Sequence, residues 1–264
     1  MECRKTNPKL FYSHVNRART TRSKVAPLIN SDRQIVVDSK EQADLLNRFY
    51  ASVFTKSDKP LPEPRQRGNR TTLNEITVTE ERVKAVIEGL REDAAAGPDE
   101  IPSIVIKRLQ EELTRPLNIL FQKSIHEKRI PEDWRHSNVT LLYKKKGSKS
   151  DPSNYRPVSL TKVVGKMLER IVKVDIMRFI EGNLLRSNSQ HGFRRGRSVL
   201  TNMLEFLSRT TKWMDEGGSF DIIYLDFAKA FDKVCHKRLL LKLAEIGVGG
   251  PVIDWIGDWL SGRR

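Results

Sequence analysis

The 264-residue sequence sets 48 Lys and Arg against 33 Asp and Glu, a formal charge of +15 with a pI of about 9.9. That balance favours a polyanionic partner, nucleic acid above all, although a basic surface that serves only solubility has the same balance. Cys3 and Cys235 stand far apart without Cys-x-x-Cys or Cys/His metal spacing, which fits a reducing compartment, and no apolar run is long enough for a membrane span or a secretory signal. An intracellular protein is therefore expected, with nucleus or cytoplasm undecided.

In chain order, residues 1–33 carry eight basic and two acidic side chains, with Phe11 and Tyr12 among them. This suits either phosphate contact with occasional stacking or a solvated disordered tail. Ser39-Lys40-Glu41-Gln42 reads as a capping box, and Ala43, Leu46, Phe49, Tyr50 and Val53 then recur at helical spacing, with the aromatics expected in a core. Residues 1–58 thus form a basic extension with one helix. Pro60, Pro62 and Pro64 with Arg65, Arg67, Gly68 and Arg70 read as a linker over 59–72. Thr77-Val78-Thr79-Glu80 offers a second capping box, followed by the stripe Val83, Val86, Ile87 and Leu90. Gly97-Pro98-Asp99 predicts a turn, and Ile101 to His126 two helices parted at Pro116, completing a helical region over 73–137.

Asn138 to Tyr143 predicts a strand that runs into Lys144-Lys145-Lys146-Gly147. The lysines suit a hairpin tip aimed at phosphate, or equally a charged edge that blocks strand aggregation. Arg156 precedes Pro157 and should be extended. Val164, Leu168, Ile171, Ile176, Phe179 and Ile180 mark a long helix that stops at Gly182-Asn183. Gln190 to Ser198 is an Arg- and Gly-rich loop, and Ser198 caps a helix carrying Val199, Leu200, Met203, Leu204 and Leu207. Glycine lets such a loop approach a sugar-phosphate chain and arginine forks phosphate, but solvated Arg-Gly loops share the composition.

Gly217-Gly218 ends that helix, and Phe220 to Leu225 reads as a short strand packed on both faces, with Asp226 at its carboxyl end. A carboxylate there caps a helix, faces solvent, meets a cation or binds a metal. Val252, Trp255, Ile256 and Trp259 mark a last helix, whose two tryptophans are expected among the exposed groups.

Asp226 to Asp232 with Val234 resembles the first catalytic motif of reverse transcriptases of non-LTR retrotransposons, especially the jockey-like group. Asn154-Tyr155-Arg156-Pro157-Val158-Ser159-Leu160 with Gly165-Lys166-Met167-Leu168-Glu169-Arg170 resembles the first fingers motif of that family. Gln190-His191-Gly192-Phe193-Arg194-Arg195-Gly196-Arg197-Ser198 resembles its second, and Ala96-Gly97-Pro98-Asp99-Glu100-Ile101-Pro102 its upstream motif.

The resemblance implies an α+β fold: helix-rich fingers with a small antiparallel hairpin, joined over 138–264 to the start of a right-hand palm, with the thumb absent. It implies RNA-directed DNA polymerisation with an RNA template, a DNA primer and deoxynucleoside triphosphates as partners. It carries to Lys144, Lys145 and Arg156 the holding of the triphosphate, and to Phe231 the exclusion of a 2′-hydroxyl. Gln190, Gly192, Phe193, Arg194, Arg195 and Arg197 would contact nucleic acid. Asp226 and the Phe227 carbonyl would hold Mg²⁺, of which the complete enzyme uses two ions. The family's second motif is an Asp-Asp pair, and this sequence contains none. The fragment alone is therefore expected to be inactive, either because catalysis needs a longer product or because it is a remnant that binds RNA without chemistry.

Overall fold

The computed structural model describes residues 25–55, 60–63, 71–183 and 187–263. The tail over 1–24 and Pro64, Arg65, Arg67, Gly68 and Arg70 of the expected linker lie outside them. The described residues form an α+β structure with two small antiparallel sheets. β1 (Leu28–Ile29) pairs with β2 (Ile35–Val36), and α1 (Ser39–Ala51), α2 (Glu80–Glu88), α3 (Ser103–Arg108) and α4 (Gln110–His126) follow. β3 (Ser137–Tyr143) pairs with β4 (Tyr155–Thr161), after which come α5 (Val163–Gly182), α6 (Val199–Asp215), α7 (His236–Glu245) and α8 (Gly250–Leu260).

Side-chain caps set the starts of α1, α2 and α6. Ser198 begins α6 as expected, its hydroxyl accepting from the Thr201 N–H while Thr201 reaches back to the Ser198 N–H. In α1 and α2 the start differs from expectation by one and two residues. Asp38, not Ser39, caps α1, because one carboxylate oxygen accepts from both Lys40 and Glu41 N–H at 3.0 Å. Thr79, not Thr77, caps α2. The break expected at Pro116 falls instead at Leu109, and Pro116 sits inside α4. A proline there forfeits one backbone bond, while Leu117 and Phe121 beside it are buried and hold the helix in place.

The main core is built around α5. Met167, Leu168 and Ile171 are almost wholly inaccessible and pack with Val83 and Ile87 of α2, Phe121 of α4, Trp134, and Val252, Trp255 and Trp259 of α8. The expectation that Trp255 and Trp259 are exposed is therefore corrected: they are 2% and 8% exposed. They stack with ring centroids 5.2 Å apart, and the Trp255 indole N–H donates to Ser124 Oγ at 3.1 Å. Gly165 faces both indoles, and a Cβ on it would make ordinary contact, 3.5 Å from Trp259 and 3.6 Å from Trp134.

Two ion pairs lock this core. Arg82 forks Asp175 at 2.7 and 2.8 Å, joining α2 to α5. Arg135 Nη2 donates to both carboxylate oxygens of Asp258 at 2.8 and 2.9 Å and its Nη1 to the Asp258 and Ser261 carbonyls, while Asp258 also accepts from the Ile130 N–H at 2.7 Å. Gly97 adds a third constraint. A Cβ there would lie 2.8 Å from the Lys162 N and Cα and the Thr161 carbonyl carbon, so only glycine lets this turn press on the β4–α5 junction.

A smaller cluster of Leu28, Leu46 and Tyr155 joins β1 and α1 to the β3–β4 hairpin. Gln42 completes it by donating to the Ala26 and Val36 carbonyls at 3.3 and 3.0 Å.

The segment 220–225 departs most from expectation. It forms no strand, and Ile223, Tyr224 and Leu225 are 82%, 79% and 88% exposed. A strand exists only within a ladder, and among the described residues no neighbouring segment offers it an edge. It lies instead beside α6, with Phe220 6.0 Å from Trp213 and Tyr224 6.4 Å from Phe206 by ring centroid.

Breaking the Arg135–Asp258 pair tests the core. Asp258→Ala removes the less exposed of the two carboxylates that pair with a nine-tenths buried guanidinium and should lower stability by about 3 kcal/mol. Lys84→Ala, which removes an exposed pair with Glu111, should cost less than about 1 kcal/mol. Urea denaturation of both variants checks the contrast.

Candidate functional site

The β3–β4 hairpin runs in register from Ser137↔Thr161 to Tyr143↔Tyr155, with the two tyrosine rings 5.7 Å apart. Its tip folds on itself. The Lys144 N–H donates to the Asn154 carbonyl at 2.8 Å, and Lys144 Nζ to the Ser153 carbonyl at 2.7 Å. Lys145 has φ +58° and Gly147 φ +77°, so the chain reverses through left-handed conformations there. Lys144, Lys145 and Arg156 are all exposed, with Arg156 opposite Leu142 in the ladder.

The Arg-rich loop is anchored by a residue that its motif contains but sequence reasoning gave no role. His191 is 5% exposed and bridges two groups of α6, with Nδ1 2.9 Å from Thr201 Oγ1 and Nε2 2.9 Å from Glu205 Oε2. Arg197 lies 3.5 Å and Arg209 2.6 Å from the same carboxylate. The His191 hydrogen bond, helped by Arg209 and Arg197, holds the Glu205 carboxyl below its usual range. The legible signal was Thr201 and Glu205, one turn apart on the helix that the loop enters. With His191 tied down, Gln190 Nε2 donates to the Gly192 carbonyl at 3.0 Å and Arg194 to the Ser187 carbonyl at 3.3 Å. Arg195 and Phe193 point outward, Phe193 being 83% exposed with φ +56°.

Asp226 and Phe227 are exposed at the end of the irregular segment and lead into turns over 228–233. Those turns reach the Arg-rich loop and α1. The Phe231 ring meets Phe193 edge to face at 6.2 Å. Lys229 Nζ stands 4.2 Å from the Phe49 ring centroid, and burial together with Lys144 and Lys233 pushes its pKa down. The hairpin, the Arg-rich loop and the Asp226 turn are thus neighbours. No three His, Cys, Asp or Glu side chains among the described residues come together as an ion would require. For a two-ion centre the described residues do not suffice, since Asp226 brings one carboxylate.

Tyr50 braces the same region from α1. Its hydroxyl donates to the Tyr155 carbonyl at 3.2 Å and the Pro152 carbonyl at 3.4 Å. Burial, with Asp232 and Tyr155 nearby, pushes its pKa up to about 12. The fold favours the neutral phenol, so this contribution to stability is whole below pH 10 and is lost as pH rises from 10 to 12. Of the five tyrosines, one should ionise near 12 in an absorbance titration, and Tyr50→Phe should remove that step.

Residues 143–264 match the family model described as reverse transcriptase (RNA-dependent DNA polymerase). The chain is 24% identical over 246 residues, 90% of its length, to the probable RNA-directed DNA polymerase from transposon X-element of Drosophila melanogaster. It is 28% identical over 83% of its length to the RNA-directed DNA polymerase from mobile element jockey of Drosophila funebris. It is 24% identical over 70% to the retrovirus-related Pol polyprotein from type-1 retrotransposable element R2 of Popillia japonica. The matched segments span 27%, 24% and 24% of those proteins, about a quarter of each. Four ordered motifs, a family match over residues 143–264 and relatives along nearly the whole length agree in making the chain similar to the reverse transcriptases of non-LTR retrotransposons.

Proposed function

We propose that this chain is the fingers and opening palm of an RNA-directed DNA polymerase, with residues 1–58 as a basic extension, 59–72 as a linker and 73–137 as the upstream part of the fingers. The observation that carries this reading is the convergence of three motifs far apart in sequence, with Phe193 against Phe231, and with Lys229 of the turn and Tyr155 of the hairpin both in contact with Tyr50. In this reading an RNA template and its DNA primer run past the Arg-rich loop. Gln190 and His191 stiffen that loop, the backbone at Gly192 approaches the chain, Phe193 stacks, and Arg194, Arg195 and Arg197 meet phosphates. The incoming deoxynucleoside triphosphate lies between the hairpin and the Asp226 turn. Lys144, Lys145 and Arg156 neutralise its phosphates, and the Phe231 ring fills the space that a 2′-hydroxyl would need.

Asp226 and the Phe227 carbonyl are the oxygen ligands offered here to a divalent ion, with Mg²⁺ as the cation that suits carboxylate, carbonyl and water ligands. Such an ion would neutralise charge on the triphosphate. The remaining acids of a two-ion centre are not supplied by the described residues, so nucleotide and nucleic-acid binding are the parts of the activity assigned to this chain. Among those residues no helix is long and apolar enough to cross a membrane.

Primer extension on an RNA template with Mg²⁺ tests the reading, with Asp226→Ala beside the unchanged chain. Neither should extend the primer, and both should bind RNA with an affinity that falls steeply with salt. Replacing Arg194, Arg195 and Arg197 together by alanine should flatten the logarithmic salt dependence by about 2 units, the effect of three lost phosphate contacts on a single strand. Extension by the chain that Asp226→Ala abolishes would mean that unassigned acids complete the centre. RNA binding indifferent to salt would overturn the nucleic-acid interface.

A further inference from the structure

The family match begins at residue 143, yet the turn after Asp226 is held from far upstream, by α1. Lys229 has φ +51°, a left-handed conformation that a side-chain-bearing residue keeps only where its surroundings hold it. Within the turn, the Lys233 N–H donates to the Lys229 carbonyl at 3.1 Å and the Val234 N–H to the Phe231 carbonyl at 3.3 Å. Outside it, besides the Phe193 ring against Phe231, the holding contacts come from α1 and the residues just after it. Lys229 Nζ lies 4.2 Å from the Phe49 centroid and 5.7 Å from that of Tyr50, and Thr55 Oγ1 donates to the Lys233 carbonyl at 3.0 Å. Phe49 and Tyr50 themselves meet edge to face at 5.3 Å. The Tyr50 hydroxyl in turn grips the hairpin at Pro152 and Tyr155. One helix therefore touches both sides of the space between the Asp226 turn and the hairpin, through two adjacent rings.

We propose that α1 is a strut for the nucleotide site, in which Phe49, through the Lys229 ammonium, and Thr55, through the Lys233 carbonyl, set the position of the Asp226 turn against the hairpin braced by Tyr50. Phe49 and Thr55 are positioning residues and touch no substrate. The chemistry suits the task, because an ammonium above an aromatic face is attracted without being consumed by an ion pair and keeps its charge on the phosphate side. Burial and the nearby Lys144 and Lys233 cations, opposed by Asp232, lower the Lys229 pKa, which agrees with a crowded cationic pocket. A triphosphate entering it would relieve the repulsion among these lysines. The inference rests on the polymerase reading for the identity of the ligand and on the contacts themselves for the strut.

The test uses the whole chain and three variants, Phe49→Leu, Phe49→Tyr and Thr55→Val, with dATP and Mg²⁺ as the probe. In the unchanged chain the Lys229 side-chain protons should show the upfield NMR shift of a group over a ring face. Phe49→Leu keeps the apolar volume, so it should leave the urea midpoint nearly unmoved while abolishing that shift. It should also weaken dATP binding by about threefold, the factor that an exposed cation–π contact supplies. Phe49→Tyr should restore both shift and affinity, and Thr55→Val should speed amide exchange across 229–234. Loss of the shift with unchanged dATP affinity would overturn the strut and leave the polymerase reading standing. If no variant binds dATP, it is the polymerase reading that falls, and amide exchange then decides the strut: faster exchange over 229–234 in Phe49→Leu sustains it, unchanged exchange ends it.

Discussion

A long helix with most of its sides buried must be covered from several directions at once, and α5 imposes that condition on the rest of the chain. Val163, Met167, Leu168, Ile171 and Val172 are at most 3% exposed, so α2, α4 and α8 each have to present an apolar face to it. Asp175 sharpens the requirement. A carboxylate only 8% exposed is tolerable because Arg82 meets both of its oxygens, and Arg82 can do so only with α2 in one register along α5. The hairpin ends where α5 begins, and Gly97 presses on that junction, so the placement of the lysine-rich tip is inherited from the packing of this helix.

The second half of the site obeys a different constraint. Apolar side chains can find cover from any direction, but a strand's backbone groups need partners in one plane. Phe220 to Leu225 has the side chains of a doubly covered strand and, among the described residues, no ladder to join. Its residues lie exposed beside α6, whose Val199, Leu200, Met203, Leu204 and Leu207 are themselves 52–77% exposed. Asp226 follows that segment directly, so its position rests on contacts made after it, at Lys229, Phe231 and Lys233. That is why three aromatic rings and one threonine hydroxyl carry so much of the site's geometry.

The sequence is most legible where a feature is local. Ser198 and Thr201 announce their helix start because the cap closes within four residues, and the spacing of Val164, Leu168 and Ile171 identifies a buried helix. Where several donors or acceptors compete for one role, local reading slips: Asp38 displaces Ser39 as a cap, and Thr79 displaces Thr77, because only three-dimensional geometry ranks them. Long-range cover is not legible at all. Trp255 and Trp259 look unprotected in sequence, yet they are buried by Ser124, Trp134 and Gly165, about a hundred residues away. His191 belongs to the same class: its neighbours at Thr201 and Glu205 become partners only when the loop turns back onto α6. In the candidate site the residue types were legible from the motifs, while their proximity was not. Nothing in the sequence places Phe49 beneath Lys229.

Net charge by itself does not distinguish a binding surface from a soluble one, but its division between interior and surface does. The cations drawn into the structure are matched one by one: Arg82 with Asp175, Arg135 with Asp258, and Lys162 with Asp133. Each of these pairs joins separate elements, and an unpaired member would be costly to keep out of water. Acids are therefore drawn into structural work in a chain that already has fifteen fewer of them than bases. The surplus falls on groups with no such task, among them the exposed Lys145, Lys146, Arg156 and Arg195 on the hairpin and the Arg-rich loop. Cations gathered there repel one another, as Lys144 and Lys233 already do to Lys229. A polyanion laid between the hairpin and the loop removes that repulsion, so the same charge balance that makes this surface unfavourable alone makes it favourable when nucleic acid is bound.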